Sequence, residues 1–301
     1  MITTKKILLA AIACFVSLLA EAQQDPLYSQ YFNNPMLINP AFAGSNQRLY
    51  AGAAYRSQWA GIEGGPVTFN FNSHLALAEN KVGVGIVAVQ DQLGDIKNTQ
   101  YGGVFSYHIK LKNSTFSFGM QAGFTRYATD PNSIKVLNNP DPAFNQFTET
   151  KFNTGAGILL QSERYILSIS VPRMLASSVS QGGQSIQVYN QNFYLYGSYL
   201  FYLNERIQFK PSTLLRATSG TPLSADINAN FVFNKLYTAG LFTRKFNSYG
   251  ILLQMVMSNY RVGYVFELPG KGSALNFSTH EISLSFSLDV LSFHNHSSNG
   301  L

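Results

Sequence analysis

Charge is what this 301-residue chain has least of: Asp, Glu, Lys and Arg together make up 12% of it, about half of the usual ~25%. A water-exposed surface of that extent needs more charge to stay dispersed, so a soluble exterior is disfavoured. Cysteine is nearly absent too. The single Cys14 lies in the first apolar run, and once that run is removed, disulfides, thiolate metal sites and a cysteine nucleophile are excluded. No later apolar run reaches the ~18 residues of a spanning helix. Basic clusters interleaved with aromatics are missing as well, so the formal charge of +6 carries no nucleic-acid footprint, and no nucleic acid is expected as a partner.

What is present begins with an export signal. Lys5 and Lys6 precede an apolar run from Ile7 to Ala20, and Ala20-Glu21-Ala22 supplies a small-x-small cleavage pattern. Residues 1–22 are expected to be cleaved, leaving Gln23 at the mature N-terminus. A lipoprotein signal ending at Cys14 is the competing reading. Against it, Ala11-Ile12-Ala13 lacks the usual Leu and the apolar run continues to Leu19.

Neutral polar residues stand where charges are missing: Asn, Ser and Gln are abundant, alongside 24 Gly and 14% aromatics. Such a composition suits a wall with lipid on one face and a wet lumen on the other, because a cation on the lipid face costs ~2–4 kcal/mol at the midplane. From Leu49 onward the pattern has period two, the mark of strands with one apolar and one polar face. Val67, Phe69, Phe71 and Leu75 alternate with Thr68, Asn70, Asn72 and His74. Ala225, Ile227, Ala229, Phe231 and Phe233 alternate with Asp226, Asn228, Asn230 and Val232. A helical period would put Asp226 and Asn230 on the side of Ala229 and Phe233.

Strands are predicted at 49–59, 67–76, 82–91, 99–109, 114–127, 150–161, 165–171, 192–203, 207–217, 224–233, 236–244, 248–257, 260–267 and 279–288. Their connections alternate between short ones (77–81, 110–113, 162–164, 204–206, 234–235, 258–259) and longer ones (60–66, 92–98, 128–149, 172–191, 218–223, 268–278), with 245–247 as the exception. Bacterial membrane barrels have short periplasmic turns and longer outer loops, and an even strand number. The predicted fold is therefore all-β: a closed transmembrane antiparallel β-barrel of about fourteen strands, with both termini periplasmic, in the outer membrane. A soluble β-sandwich also alternates, but its turns would not segregate by length. Tyr50, Tyr55, Trp59, Tyr101, Tyr107, Tyr165, Tyr199, Tyr249, Tyr260 and Tyr264 fall near strand ends, as interfacial girdles would.

Residues 23–48 have neither period. Prolines at 26, 35 and 40 and asparagines at 33, 34 and 39 make this segment turn-rich, yet Tyr28, Tyr31, Phe32, Met36, Leu37, Ile38 and Phe42 make it too apolar for a solvated linker. It should pack within the lumen as a plug or across the periplasmic mouth. Residues 49–288 form the barrel, and 289–301 a C-terminal tail whose His294 and His296 lack a carboxylate partner for metal.

Several motifs then become specific: Asp25-Pro26, Tyr28-Ser29-Gln30-Tyr31, Asn39-Pro40-Ala41-Phe42-Ala43-Gly44, Tyr55-Arg56-Ser57-Gln58-Trp59 and Gly65-Pro66-Val67-Thr68, with Glu281-Ile282-Ser283-Leu284-Ser285-Phe286 near the end. Together they resemble the PorP/SprF family. The resemblance implies an outer-membrane component of the type IX secretion system of Bacteroidota. It further implies a role in secretion or cell-surface retention of proteins with C-terminal sorting domains, gliding adhesins included. The partners implied are outer-membrane lipid, such a cargo or adhesin, and the periplasmic peptidoglycan-associated and ring subunits of the machine. Candidate partner-binding residues are Asp25, Pro26, Tyr28, Gln30, Tyr31, Asn34, Pro35, Asn39, Pro40, Arg56, Gln58 and Trp59. A passive porin is the alternative function.

No catalytic site, cofactor or metal is expected, and the chain is not read as an enzyme. Ser106 and His108 share a strand face, but no carboxylate nearby in sequence would orient the ring. His74, His108 and His280 are expected to face the lumen. Asp91–Asp95 and Asp130–Ser133 lack the ligand series of a calcium loop, and Gly83, Gly85, Gly155 and Gly157 lie inside strands, where glycine marks curvature or a bulky neighbour. Arg56 should point inward and needs a carboxylate or carbonyl partner. A lumen salt bridge is one candidate, and the N-terminal segment or a cargo is the other.

Overall fold

The computed structural model describes residues 31, 33–129, 146–181, 184–219, 221–270 and 277–291. The signal peptide, the first part of the N-terminal segment (with Asp25, Pro26, Tyr28 and Gln30), Asp130–Ser133, His294 and His296 lie outside them.

Alternation translates directly into strands: β1 (Leu49–Ser57), β2 (Val67–Leu77), β3 (Val82–Leu93), β4 (Ile96–Lys110), β5 (Thr115–Thr129), β6 (Phe147–Gln161), β7 (Tyr165–Val171), β8 (Ser177–Gln181), β9 (Gln184–Tyr189), β10 (Asn192–Tyr199), β11 (Phe201–Tyr202), β12 (Ile207–Thr218), β13 (Ser224–Phe233), β14 (Tyr237–Arg244), β15 (Ser248–Met257), β16 (Tyr260–Pro269) and β17 (Thr279–Leu288). Two of these, β8 and β9, form a separate hairpin. The others make the wall, with β10 and β11 as one strand interrupted at Leu200, so the barrel has fourteen strands. Each pairs antiparallel with its neighbours, and closure comes from β1 against β17, where Arg56 stands opposite Glu281. Closing β1 on β17 removes the two free edges that an open sheet would present to lipid.

The alternation also sorts the faces. Outward Tyr55, Phe69, Tyr101, Phe105, Phe118, Phe152, Leu167, Phe193, Leu241, Ile251 and Ile282 are exposed, whereas inward Asn70, Asn72, Ser106, Ser117, Ser168, Asn228 and Asn230 are buried. Exposed tyrosines gather towards the short-turn rim (Tyr107, Tyr199, Tyr202, Tyr237, Tyr260) and towards the long-loop rim (Tyr55, Tyr101, Tyr249), where an apolar ring with a polar tip suits both phases.

Four details differ from expectation. Residues 92–98 are not a loop: β3 and β4 pair as far as Leu93 and Ile96, because Gly94 takes a left-handed φ of 55° that a tight hairpin needs. The 172–191 connection contains the β8–β9 hairpin. Tyr50 is no girdle residue. It shares the inward parity of Arg56, is buried, and its hydroxyl donates to Asn33 O at 3.2 Å. His280 has the opposite parity from Glu281 and sits on the outward face, bonded to Tyr264 Oη at 2.8 Å and Ser278 Oγ at 3.1 Å.

Candidate functional site: the occupied lumen

Tyr31 and residues 33–44, ahead of β1, lie inside the barrel. Pro35 and Pro40 open two 3-10 turns, Pro35–Leu37 and Pro40–Phe42, where a fixed φ is pre-organised and the missing N–H is not needed. Asn39 caps the second turn, its Oδ1 accepting from Ala41 N at 2.8 Å, while its Nδ2 donates to Ile158 O at 3.0 Å and Ile169 O at 3.4 Å. One side chain thus shapes the segment and ties it to β6 and β7. Tyr31, Met36, Ile38 and Phe42 pack with inward Val87, Val89, Val104, Leu159, Ile166, Tyr196 and Leu214 into one apolar core within the lumen. Full burial stabilises such side chains by ~1.5–3 kcal/mol each, against ~1–2 kcal/mol per residue for ordering backbone.

The wall is cut to receive this segment. A Cβ on Gly83 would lie 2.1 Å from Ala43 O, one on Gly119 2.0 Å from Ala41 N, and one on Gly157 2.1 Å from Asn39 Oδ1. These contacts are far inside van der Waals distance, so only glycine permits the approach. Polar groups complete the seat. Ala43 O accepts from Ser106 Oγ at 2.6 Å and contacts His108 Nε2 at 2.9 Å, whose Nδ1 meets Ser117 Oγ at 2.7 Å. Gly44 N donates to His74 Nδ1 at 3.1 Å, so that nitrogen carries no proton. Ser170 Oγ donates to Ile38 O at 2.6 Å. Further up the lumen, Asn228 Nδ2 donates to Tyr31 Oη at 2.6 Å, and the Tyr31 ring meets Tyr196 edge to face. Burial, with the Asp226 carboxylate close by, holds the Tyr31 phenol pKa well above its ordinary value.

On the other side of the lumen charges bind one another. Arg56 donates to Glu281 at 3.2 Å and Glu267 at 3.0 Å, and Arg244 donates to Asp226 at 3.2 Å and Glu267 at 3.5 Å. Ser248 Oγ adds a bond to Glu267 at 2.6 Å. From the long-loop rim, residues 172–175 fold inward: Gln121 Nε2 donates to Pro172 O, Met174 N to Thr154 O at 2.7 Å, and Leu175 N to Asn153 Oδ1 at 3.1 Å.

Among the candidate partner-binding residues in the described segments, Tyr31, Asn34, Asn39, Pro40 and Arg56 are buried, and Pro35, Gln58 and Trp59 are partly exposed. Asn34 bonds Asn70 at 3.3 Å. The segment's contacts are therefore made to its own wall, while Gln58 and Trp59 stand at the long-loop rim. Ser106 and His108 do meet, Oγ to Nε2 at 3.1 Å, but both are committed to Ala43 O, and among the described residues no carboxylate is bonded to either. Among the described residues no group of three or more His, Cys, Asp and Glu is placed to hold a metal ion. Sequence reasoning missed His74, Ser106, His108, Ser170 and the three wall glycines as the seat. The available signal was glycine at inward parity near the short-turn ends of β3, β5 and β6.

A model of the type IX secretion system membrane protein PorP/SprF matches residues 20–286. No curated protein sequence matches the chain. Among solved structures, the P. putida toluene transporter TodX is similar, with 11% identity over 85% of this chain and 94% of that one and a TM-score of 0.51. The CymD monoaromatic hydrocarbon channel has 10% identity over 89% of this chain and 95% of that one, TM-score 0.51. The outer membrane protein Omp33 of Acinetobacter baumannii has 8% identity over 80% and 98%, TM-score 0.48. At such identities TodX and CymD speak for the barrel fold alone.

Proposed function

Since the chain belongs to the PorP/SprF family of type IX secretion system membrane proteins, we propose that it works as a plugged outer-membrane anchor. Its long-loop rim, with Gln58 and Trp59, holds a secreted cargo or adhesin bearing a C-terminal sorting domain. Its short-turn rim faces the periplasm, together with both ends of the barrel wall, and docks the peptidoglycan-associated and ring subunits. The observation that supports this reading over a passive porin is the seat of Asn39–Gly44 in the lumen, where wall glycines and hydrogen bonds hold peptide in the path a solute would take.

Deleting residues 25–44 behind an intact signal peptide separates the readings. The deletant is expected to reach the outer membrane as a heat-modifiable barrel, since every wall strand begins after it, and to lose cargo display. Purified wild-type protein is expected to stay closed in planar bilayers. A deletant that still displays cargo, or steady nanosiemens-scale currents from the wild type, would overturn the anchor reading in favour of the porin.

A further inference from the structure

A groove interrupts the lipid-facing wall between β6 and β12. One row of cross-strand partners there reads Leu160, Leu167, Gly197 and Thr213, all at outward parity. The next row towards the short-turn rim holds Tyr165 opposite Tyr199, and the register of Ser198 on Ser212 and Phe201 on Phe209 puts Pro211 beside Tyr199. Gly197, Thr213 and Pro211 follow one another here, between Leu167 on β7 and Ile227 on β13. The result is an open trough of about 660 Å³ on the outer wall.

Gly197 differs from the lumen glycines. A Cβ on it would meet only Leu167 Cδ2 at 3.5 Å and Ile166 O at 4.0 Å, so neither crowding nor a left-handed φ requires glycine, and glycine weakens a strand. What its missing side chain creates is room. With strands ~4.8 Å apart, the gap between Leu167 on β7 and Ile227 on β13 spans roughly 14 Å of wall.

The groove has a polar end. Arg164 lies next to Tyr165 in the short turn after β6, is exposed, and its carbonyl accepts from Leu200 N at 2.7 Å, which fixes it at the groove's lower edge. Its guanidinium lies 5.4 Å from the Tyr202 ring centroid, while the neighbouring Glu163 accepts from the Tyr202 hydroxyl at 3.4 Å. An apolar trough in the hydrocarbon belt that ends at an exposed arginine on the headgroup level matches an acyl chain joined to a phosphate.

We propose that this groove binds one anionic glycerophospholipid from the leaflet at the short-turn rim, with an acyl chain in the space left by Gly197 and the phosphate on Arg164. Native mass spectrometry of the purified full barrel, offered phosphatidylglycerol and phosphatidylethanolamine at equal amounts, tests it. The wild type should retain one phosphatidylglycerol. Filling the groove by Gly197→Leu, or from the neighbouring strand by Thr213→Phe, should cut that retention about tenfold, and Arg164→Gln should erase the preference for the anionic headgroup. Heat-modifiable migration identifies folded variants, and Thr213→Phe carries the test if Gly197→Leu does not assemble. Unchanged retention in a folded groove-filled variant, or equal retention of both lipids by the wild type, would mean annular lipid only and end the proposal.

Discussion

Across the lumen from the glycines of β3, β5 and β6, which admit Asn39–Gly44, the strands β13, β14, β16, β17 and β1 present two arginines and three carboxylates that bind one another. Both walls have the same period-two alternation, so alternation alone does not say how an inward face is satisfied. The first wall gives up side-chain volume and meets a foreign stretch of backbone. The second keeps long charged side chains and meets itself. Buried charges tolerate no missing partner, because breaking such a pair strands the other charge, whereas a glycine seat fails through excess volume. The two walls should therefore break differently.

The largest effect is expected in the charged wall. Glu267 accepts from Arg56, Arg244 and Ser248. Glu267→Gln removes the charge that two buried guanidiniums share, and should lower barrel stability by about 3–5 kcal/mol. Denaturant titration of the barrel in detergent, followed by heat-modifiable migration, measures this. Stability within 1 kcal/mol of the wild type would mean that the network contributes no more than a surface pair.

A second substitution compares the outside of the wall with its inside. Phe71 is on the outward face of β2 and Asn72 next to it is fully buried in the lumen. Phe71→Arg should cost about 2–4 kcal/mol if it lies near the midplane. Asn72→Arg should also be rejected, because the lumen at that point is packed and a buried cation needs a partner. Reconstitution yield into lipid vesicles reports both. Free tolerance of Asn72→Arg would mean that water, not protein, faces β2.

The wall was legible from sequence because lipid and lumen impose opposite chemistry on alternate residues, and parity carries that through every strand from Leu49 to Leu288. It also placed Arg56 inward, in need of a carboxylate or carbonyl partner, and the carboxylates are Glu281 and Glu267. Parity fails where a tight turn extends the ladder, as at Gly94. It also fails to identify partners: Glu281 pairs with Arg56 only because β17 closes on β1, and no local pattern encodes which strand will be the neighbour. The packing of Tyr31 and residues 33–44 was suggested by their apolar content and prolines. Where they sit was not legible, because a glycine that receives Ala41 and a glycine that merely bends a strand look alike in the chain. Tyr50 shows the cost of using residue type over parity: its even number matched Arg56, while its aromatic ring suggested the girdle.

The smallest expected effect is also the most selective, and it turns on two glycines. A Cβ on Gly119 of β5 would lie 2.0 Å from Ala41 N, 2.3 Å from Pro40 C and 2.4 Å from Ala41 Cα, whereas one on Gly103 of β4 would meet nothing within 4 Å. Both glycines are in paired strands, where alanine fits the backbone. Gly119→Ala should therefore leave the ladder of β5 with β4 and β6 intact and push the Pro40–Phe42 turn off the wall, an overpacking cost of about 1–3 kcal/mol. Because that turn carries the Asn39 bonds to Ile158 O and Ile169 O and precedes the Ala43–Gly44 peptide held by Ser106, His108 and His74, the loss should spread along the segment. Gly103→Ala removes backbone freedom only from the unfolded chain and should be neutral or stabilise by about 0.4–1 kcal/mol. Amide hydrogen exchange resolves the two: Gly119→Ala should speed exchange at residues 41–44 while β4, β5 and β6 stay protected, and Gly103→Ala should change neither. Equal protection of residues 41–44 in both variants would show that the lumen yields to the extra methyl, and the distinction between a wall cut for peptide and a wall closed by charge would not hold.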